Sequence, residues 1–167
     1  MLNRLDLIMT KSIIKINSDS SIIKAVRLMQ DNKISCIVVV SNNSPVGIIT
    51  ERDIVKMVAN GESFEKPVSK IMSHPLIAAS PGTLVNRALN IMRTNHIRRL
   101  PVINNEALVG LVTETNLLVA SRRAMIEMEQ KQQKIKNLAI EDKITGLYNR
   151  RHFQSVMKKE LNRARRY

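Results

Sequence analysis

Cysteine is nearly missing from this 167-residue chain, and so are aromatic side chains. The single thiol, Cys36, excludes an internal disulfide and fits a reducing compartment. Tryptophan is absent, and the aromatic residues are Phe64, Tyr148, Phe153 and Tyr167 alone. Single-stranded nucleic acid is ordinarily held by aromatic platforms that stack on the bases, yet the first 120 residues offer only Phe64. The longest apolar run, ISCIVVV at 34–40, falls far short of the roughly 20 residues that span a bilayer. The opening MLNRLDLIMTKS has no uninterrupted apolar segment of the signal-peptide kind. Together these absences predict a cytoplasmic protein with no membrane partner.

What remains is aliphatic and basic. Hydrophobic residues make up 44% of the chain, enough for a core, and Ile, Val, Leu and Met supply nearly all of it. The length suits one domain of ordinary size, or one domain with a fragment of another. A formal net charge of +13 raises nucleic acid as a partner, but its distribution argues otherwise. Residues 1–120 hold 14 Lys/Arg against 9 Asp/Glu, whereas residues 121–167 hold 13 against 5. A solvated basic helix near the end accounts for the excess. Nucleic-acid binding is therefore the least favoured reading. His74, His96 and His152 show no metal-ligand spacing with Cys36, and the repeats described next contain no nucleophile–base pair.

The chain repeats itself. Residues 7–52 lie without a gap on residues 70–115, a shift of 63 as from Gly47 to Gly110. Met9/Met72, Ile14/Ile77, Met29/Met92, Ile34/Ile97, Gly47/Gly110 and Thr50/Thr113 are identical across that shift. Each copy reads in the same order. A short apolar strand (SIIKI, LIAAS) leads through a turn (NSDS, SPGT) able to cap a helix. Apolar residues at helical spacing follow: Ile22, Val26 and Met29 in one copy, Val85, Leu89 and Met92 in the other. A β-rich run, a turn and a second strand come next, and ERDIVKMVAN or ETNLLVASRR starts another helix. The predicted architecture is α/β, two β-α-β-β-α units packed sheet to sheet. A unit of this size is not expected to stand alone.

This order, with GIITERD closing the first unit and GLVTETN the second, resembles the CBS domain, and the two copies resemble a tandem pair of them (a Bateman module). The predicted repeats span 5–60 and 68–122. The resemblance implies two related clefts for an adenosine-containing ligand: AMP, ADP, ATP or S-adenosylmethionine, with or without Mg2+. A carboxylate opening a helix can accept two charge-assisted hydrogen bonds from a ribose diol, and a helix N-terminus offers N–H groups to phosphate. By the family pattern one cleft uses Thr50, Arg52 and Asp53 for ribose and phosphate, with Ile77, Ile97 and Arg98 around the base. The other uses Thr113, Thr115 and Asn116, with Ile14, Ile34 and Ser35. Both depart from an ideal pair. The first has Ser35 and Cys36 where basic phosphate ligands are common; the second has Arg98 and Arg99 there but Asn116 in place of Asp. The expectation is that the Asp53 cleft favours the nucleoside and the Arg98/Arg99 cleft favours phosphate, with the alternative that, since the clefts adjoin, these arginines serve both. Asp53 as a mere helix cap, and Cys36 as a small buried hydrophobe, are the plainer readings of those two residues.

Beyond the pair, residues 120–141 contain no Pro or Gly and predict a linker helix over 123–141. Met125, Met128, Ile135 and Leu138 fall near an a/d seam, which fits either a dimeric coiled coil or an amphipathic helix on its own module. The stretch DKITGLYNRRHF at 142–153 then resembles the start of GGDEF diguanylate cyclase domains. Asp142, Thr145, Gly146, Leu147, Asn149, Arg150, Arg151 and Phe153 match, with Ile144 in place of Leu. A capped turn followed by a basic helix is the plainer reading. The resemblance implies that 142–167 begins a domain whose catalytic loop is not in this chain, so the chain itself is expected to be no enzyme. It would be the regulatory, homodimeric part of a protein making cyclic di-GMP, controlled by an adenine nucleotide. The alternative is a ligand-free dimerisation scaffold.

Overall fold

The protein is described by a computed structural model covering residues 4–140, 142, 145 and 147–165. It divides into one compact unit ending at Ser121 and a second beginning at Arg122. The first repeat holds β1 (Lys15–Asn17), α1 (Ile22–Asn32), β2 (Cys36–Ser41), β3 (Ser44–Thr50) and α2 (Glu51–Ala59). The second holds α3 (Val85–Thr94), β4 (Arg99–Asn104), β5 (Ala107–Thr113) and α4 (Glu114–Ile140). Among the described residues no helix is long and apolar enough to cross a membrane.

Each hairpin closes through two residues in the left-handed region, Asn42 and Asn43 in one copy, Asn105 and Glu106 in the other. Positive φ at both central positions gives a turn whose twist matches the strands it joins. The hairpin registers then agree: Cys36 lies opposite Thr50, and Arg99 opposite Thr113. Sheet order in the first repeat is β1-β2-β3, with β1 parallel to β2. The second repeat keeps only β4-β5, and the expected strand LIAAS survives as a single parallel bridge from Ala79 to Val102. Ala79 donates to the Pro101 carbonyl at 3.0 Å and accepts from Ile103 at 2.8 Å. The next rung needs an N–H from residue 101, which proline lacks, so the ladder stops there.

Two hydrophobic cores form, and each is closed by residues that open the other repeat. Leu5, in a 3-10 turn over Leu5–Leu7, is fully buried among Val85, Leu100, Val102 and Leu117 of the second repeat. Thr10 bonds Leu111 in both directions at 2.9 Å. Conversely Val68, in the 3-10 turn Val68–Lys70, is fully buried with Ile22, Ile37 and Ile49 of the first repeat, and Ser73 pairs with Ile48. The repeats also touch along β3 and β5.

The two copies diverge at their ends. Asn60 and Gly61, the latter at φ +67°, terminate α2, as a left-handed glycine commonly does. The corresponding residues Arg123 and Ala124 are helical instead, within the 27 residues of α4. In the second unit α5 spans Arg150–Ala164 and is capped by Asn149, whose Oδ1 accepts the His152 N–H at 2.9 Å. Ile144 and Gly146 of the tail motif, and the side chain of Leu138, lie outside the described residues.

Candidate nucleotide-binding site

The motif residues sit where strand gives way to helix. Asp53, at the third position of α2, reaches back so that Oδ2 accepts the Thr50 N–H at 2.8 Å and the Thr50 hydroxyl at 2.6 Å. This is the reach-back half of a capping box. Asp53 is therefore a helix cap, as the plainer reading holds, but only one of its carboxylate oxygens is engaged. The second copy repeats the geometry with an amide. Asn116 Oδ1 accepts the Thr113 N–H at 3.0 Å and hydroxyl at 2.6 Å, and the Asn116 N–H donates to Thr113 Oγ at 3.2 Å. Both helices open on a carbonyl of the residue before β2 or β4: Glu51 N–H donates to Ser35 at 3.3 Å and Glu114 N–H to Arg98 at 2.9 Å.

A cleft of about 470 Å3 lies between the repeats beside Asp53. Thr50, Arg52, Asp53 and Lys56 come to it from the first repeat, and His96, Ile97, Arg98 and Arg99 from the second. Arg99 crosses the interface to donate to Ser35 Oγ. Arg98 lies 3.8 Å from Glu114, an exposed pair that holds it weakly.

Six of the thirteen candidate residues thus meet in one cleft: Thr50, Arg52, Asp53, Ile97, Arg98 and Arg99. Arg98 and Arg99 adjoin Asp53 in this cleft, the placement in which adjoining clefts share the two arginines. The reason is the crossed pairing of repeats, in which the start of one helix faces the loop before the other copy's β-rich run. Ile77 packs against the second repeat's core instead, and Ile14 against the first repeat's. Ile34 and Ser35 line a separate groove of about 700 Å3 with Val26, Ile54 and Val55. Thr113, Thr115 and Asn116 line none of these cavities. Ile48, Glu51, Lys56, Ser73 and Asn95 also line the cleft and are not among the sequence-based candidates. A signal for Lys56 was present: its counterpart 63 residues on is Val119.

Cys36, opposite Thr50, is buried. Burial pushes its thiol above the ordinary 9.0, the Arg99 guanidinium pulls it back, and Glu51 adds to the rise.

Comparison with known proteins identifies the family. The CBS domain model matches residues 5–60 and 68–123, so the chain belongs to the CBS domain family and carries a tandem pair. An uncharacterized protein of Methanocaldococcus jannaschii, MJ1404, is 36% identical over 141 residues, 73% of this chain. The CBS domain-containing protein YhcV of Bacillus subtilis is 32% identical over 66% of this chain. The chain spans 34% of the first relative's length and 80% of the second's. Among solved structures, an uncharacterized conserved protein of Pyrococcus horikoshii superposes with a TM-score of 0.66 at 29% identity, covering 73% of this chain and 94% of that one. The CBS domain pair of protein MJ0100, in complex with 5′-methylthioadenosine and S-adenosyl-L-methionine, superposes at 0.65 with 27% identity, over 74% and 97% of the two chains.

Proposed function

We propose that this CBS pair binds an adenosine-containing ligand in the cleft beside Asp53 and acts as a regulatory module. The observation that carries the reading is the meeting of Thr50, Arg52 and Asp53 with Ile97, Arg98 and Arg99 from the other repeat. Asp53 Oδ1, which the cap leaves unused, is the acceptor for a ribose diol. The adenosyl ligands held by the MJ0100 pair support the same class here.

Asp53→Asn separates ligand binding from folding. Asn116 keeps the same cap in the second repeat, so the amide preserves α2 while removing the charge. Thermal-shift titration of the full chain with AMP, ADP, ATP, S-adenosylmethionine and GTP is the test. An adenosine compound at about 100 times its Kd stabilises by about 2.7 kcal/mol. In Asp53→Asn its affinity falls about tenfold with the unliganded Tm unchanged. Equal affinity in wild type and variant removes Asp53 from the site.

The controlled partner in this reading is a diguanylate cyclase domain beginning at Asp142. Its support is the residue pattern together with local geometry: Asp142 Oδ1 accepts the Thr145 N–H and hydroxyl, each at 3.1 Å. On α5, Phe153, Met157 and Leu161 recur every four residues, are exposed and line one groove. That is the stripe by which a helix packs on a larger body. The second reading, a ligand-free dimerisation scaffold, draws on the exposed Val55 and Leu118, which occupy the same position in the two copies.

A further inference from the structure

The basic pair that α2 brings to the cleft has no equivalent in the second copy. Arg52 and Lys56 are one turn apart on α2 and both line the cleft, while their counterparts in the second repeat are Thr115 and Val119. Among the described residues neither Arg52 nor Lys56 has an ion-pair partner. Their placement is unfavourable by itself. Like charges four residues apart weaken a helix, and a cation in the first turn opposes the helix dipole. A site that breaks local rules in this way fits a function that supplies the missing counter-charge. Arg98 and Arg99 approach from the opposite wall, so four cations face two carboxylates, Glu51 and Asp53.

From this we infer that the cleft takes a nucleoside di- or triphosphate through its phosphate chain, with Lys56 as a phosphate-binding residue, and discriminates against adenosyl sulfonium compounds. The inference rests on the adenosine-site reading above and narrows its ligand class. With Asp53 at the ribose, Lys56, which lines the same cleft one turn beyond Arg52 on α2, is the cation offered to a chain beyond the 5′ carbon. Several phosphates satisfy Arg52, Lys56, Arg98 and Arg99 together by charge-assisted hydrogen bonds. The sulfonium of S-adenosylmethionine instead brings another positive charge to a cleft where Arg52 and Lys56 have no ion-pair partner among the described residues.

The test is isothermal titration of the full chain, and of Lys56→Gln, with ADP, adenosine and S-adenosylmethionine at one fixed ionic strength. Lys56 is exposed on α2, and an unchanged Tm of the free variant confirms its fold. ADP is expected to bind wild type at least about tenfold tighter than S-adenosylmethionine. Lys56→Gln is expected to weaken ADP about tenfold while leaving adenosine within about twofold. Equal affinity for ADP and S-adenosylmethionine, or for ADP in wild type and variant, overturns the phosphate assignment alone. Failure of all three ligands to bind wild type overturns it together with the adenosine-site reading.

Discussion

At the scale of single residues, one carboxylate serves two ends. Asp53 ties Thr50 into the start of α2 and, in the proposed site, keeps an oxygen for a ligand. The Thr-x-x-Asp spacing was readable because helix geometry brings the third helical residue back to the N-cap. Which basic residues join it was not readable, because that depends on the other repeat's loop crossing over. Cys36 was legible as a small buried residue in a β-rich run, but its neighbours Arg99 and Glu51 were not. Its thiol also sets a pH response. The folded pKa lies above the unfolded one, with burial the main cause. Stability is fully present below the unfolded value and is lost as pH rises through the folded value. In urea titrations carried above pH 9.0, the wild type should lose more stability than Cys36→Ala does. Parallel pH profiles would show that the thiol keeps its proton equally well in both states.

Between elements, the repeat was visible but the exchange within it was not. Met9/Met72 and Gly47/Gly110 stand out as identical pairs, yet nothing in the spacing says that Met72 lies on Gly47 and Met9 on Gly110. That crossing follows from the opening segment of each repeat closing the other repeat's core, a long-range choice that local pattern does not encode. It also explains the glycines. A Cβ at Gly47 would stand 2.6 Å from Met72 Sδ and 3.1 Å from the Ser73 carbonyl oxygen. The thioether can swing aside, but the carbonyl is held by Ile48 at 3.2 Å. Gly47→Ala should therefore cost about 1–3 kcal/mol by overpacking, whereas Gly82→Ala, which meets nothing within 4 Å, should be near neutral. Denaturant unfolding of both variants decides it, and similar values would mean that the bridge between Ser73 and Ile48 gives way freely. A Met72→Ala partner should recover part of the Gly47→Ala loss.

For the whole molecule the governing question is what covers α2 and the first turns of α4. Val55 is 67% exposed and Leu118, its counterpart in the other repeat, 55%. The groove of about 700 Å3 beside Val55 is lined by Val26, Met29, Ile34 and Ile54. Burying a valine or leucine contributes roughly 1.5–3 kcal/mol each, so a second copy laid on this face gains at both repeats. Net charge opposes that gain: two chains of +13 repel one another. The balance predicts a homodimer that tightens as salt screens the repulsion. A nucleic-acid complex held by the same basic residues would weaken with salt. Sedimentation velocity across a range of ionic strength distinguishes the two, with Val55→Glu and Leu118→Glu as the disrupting variants. The expected outcome is a dimer favoured by salt and lost in either variant. A monomer at every ionic strength, or a dimer indifferent to both substitutions, would mean that this face is not where two copies meet.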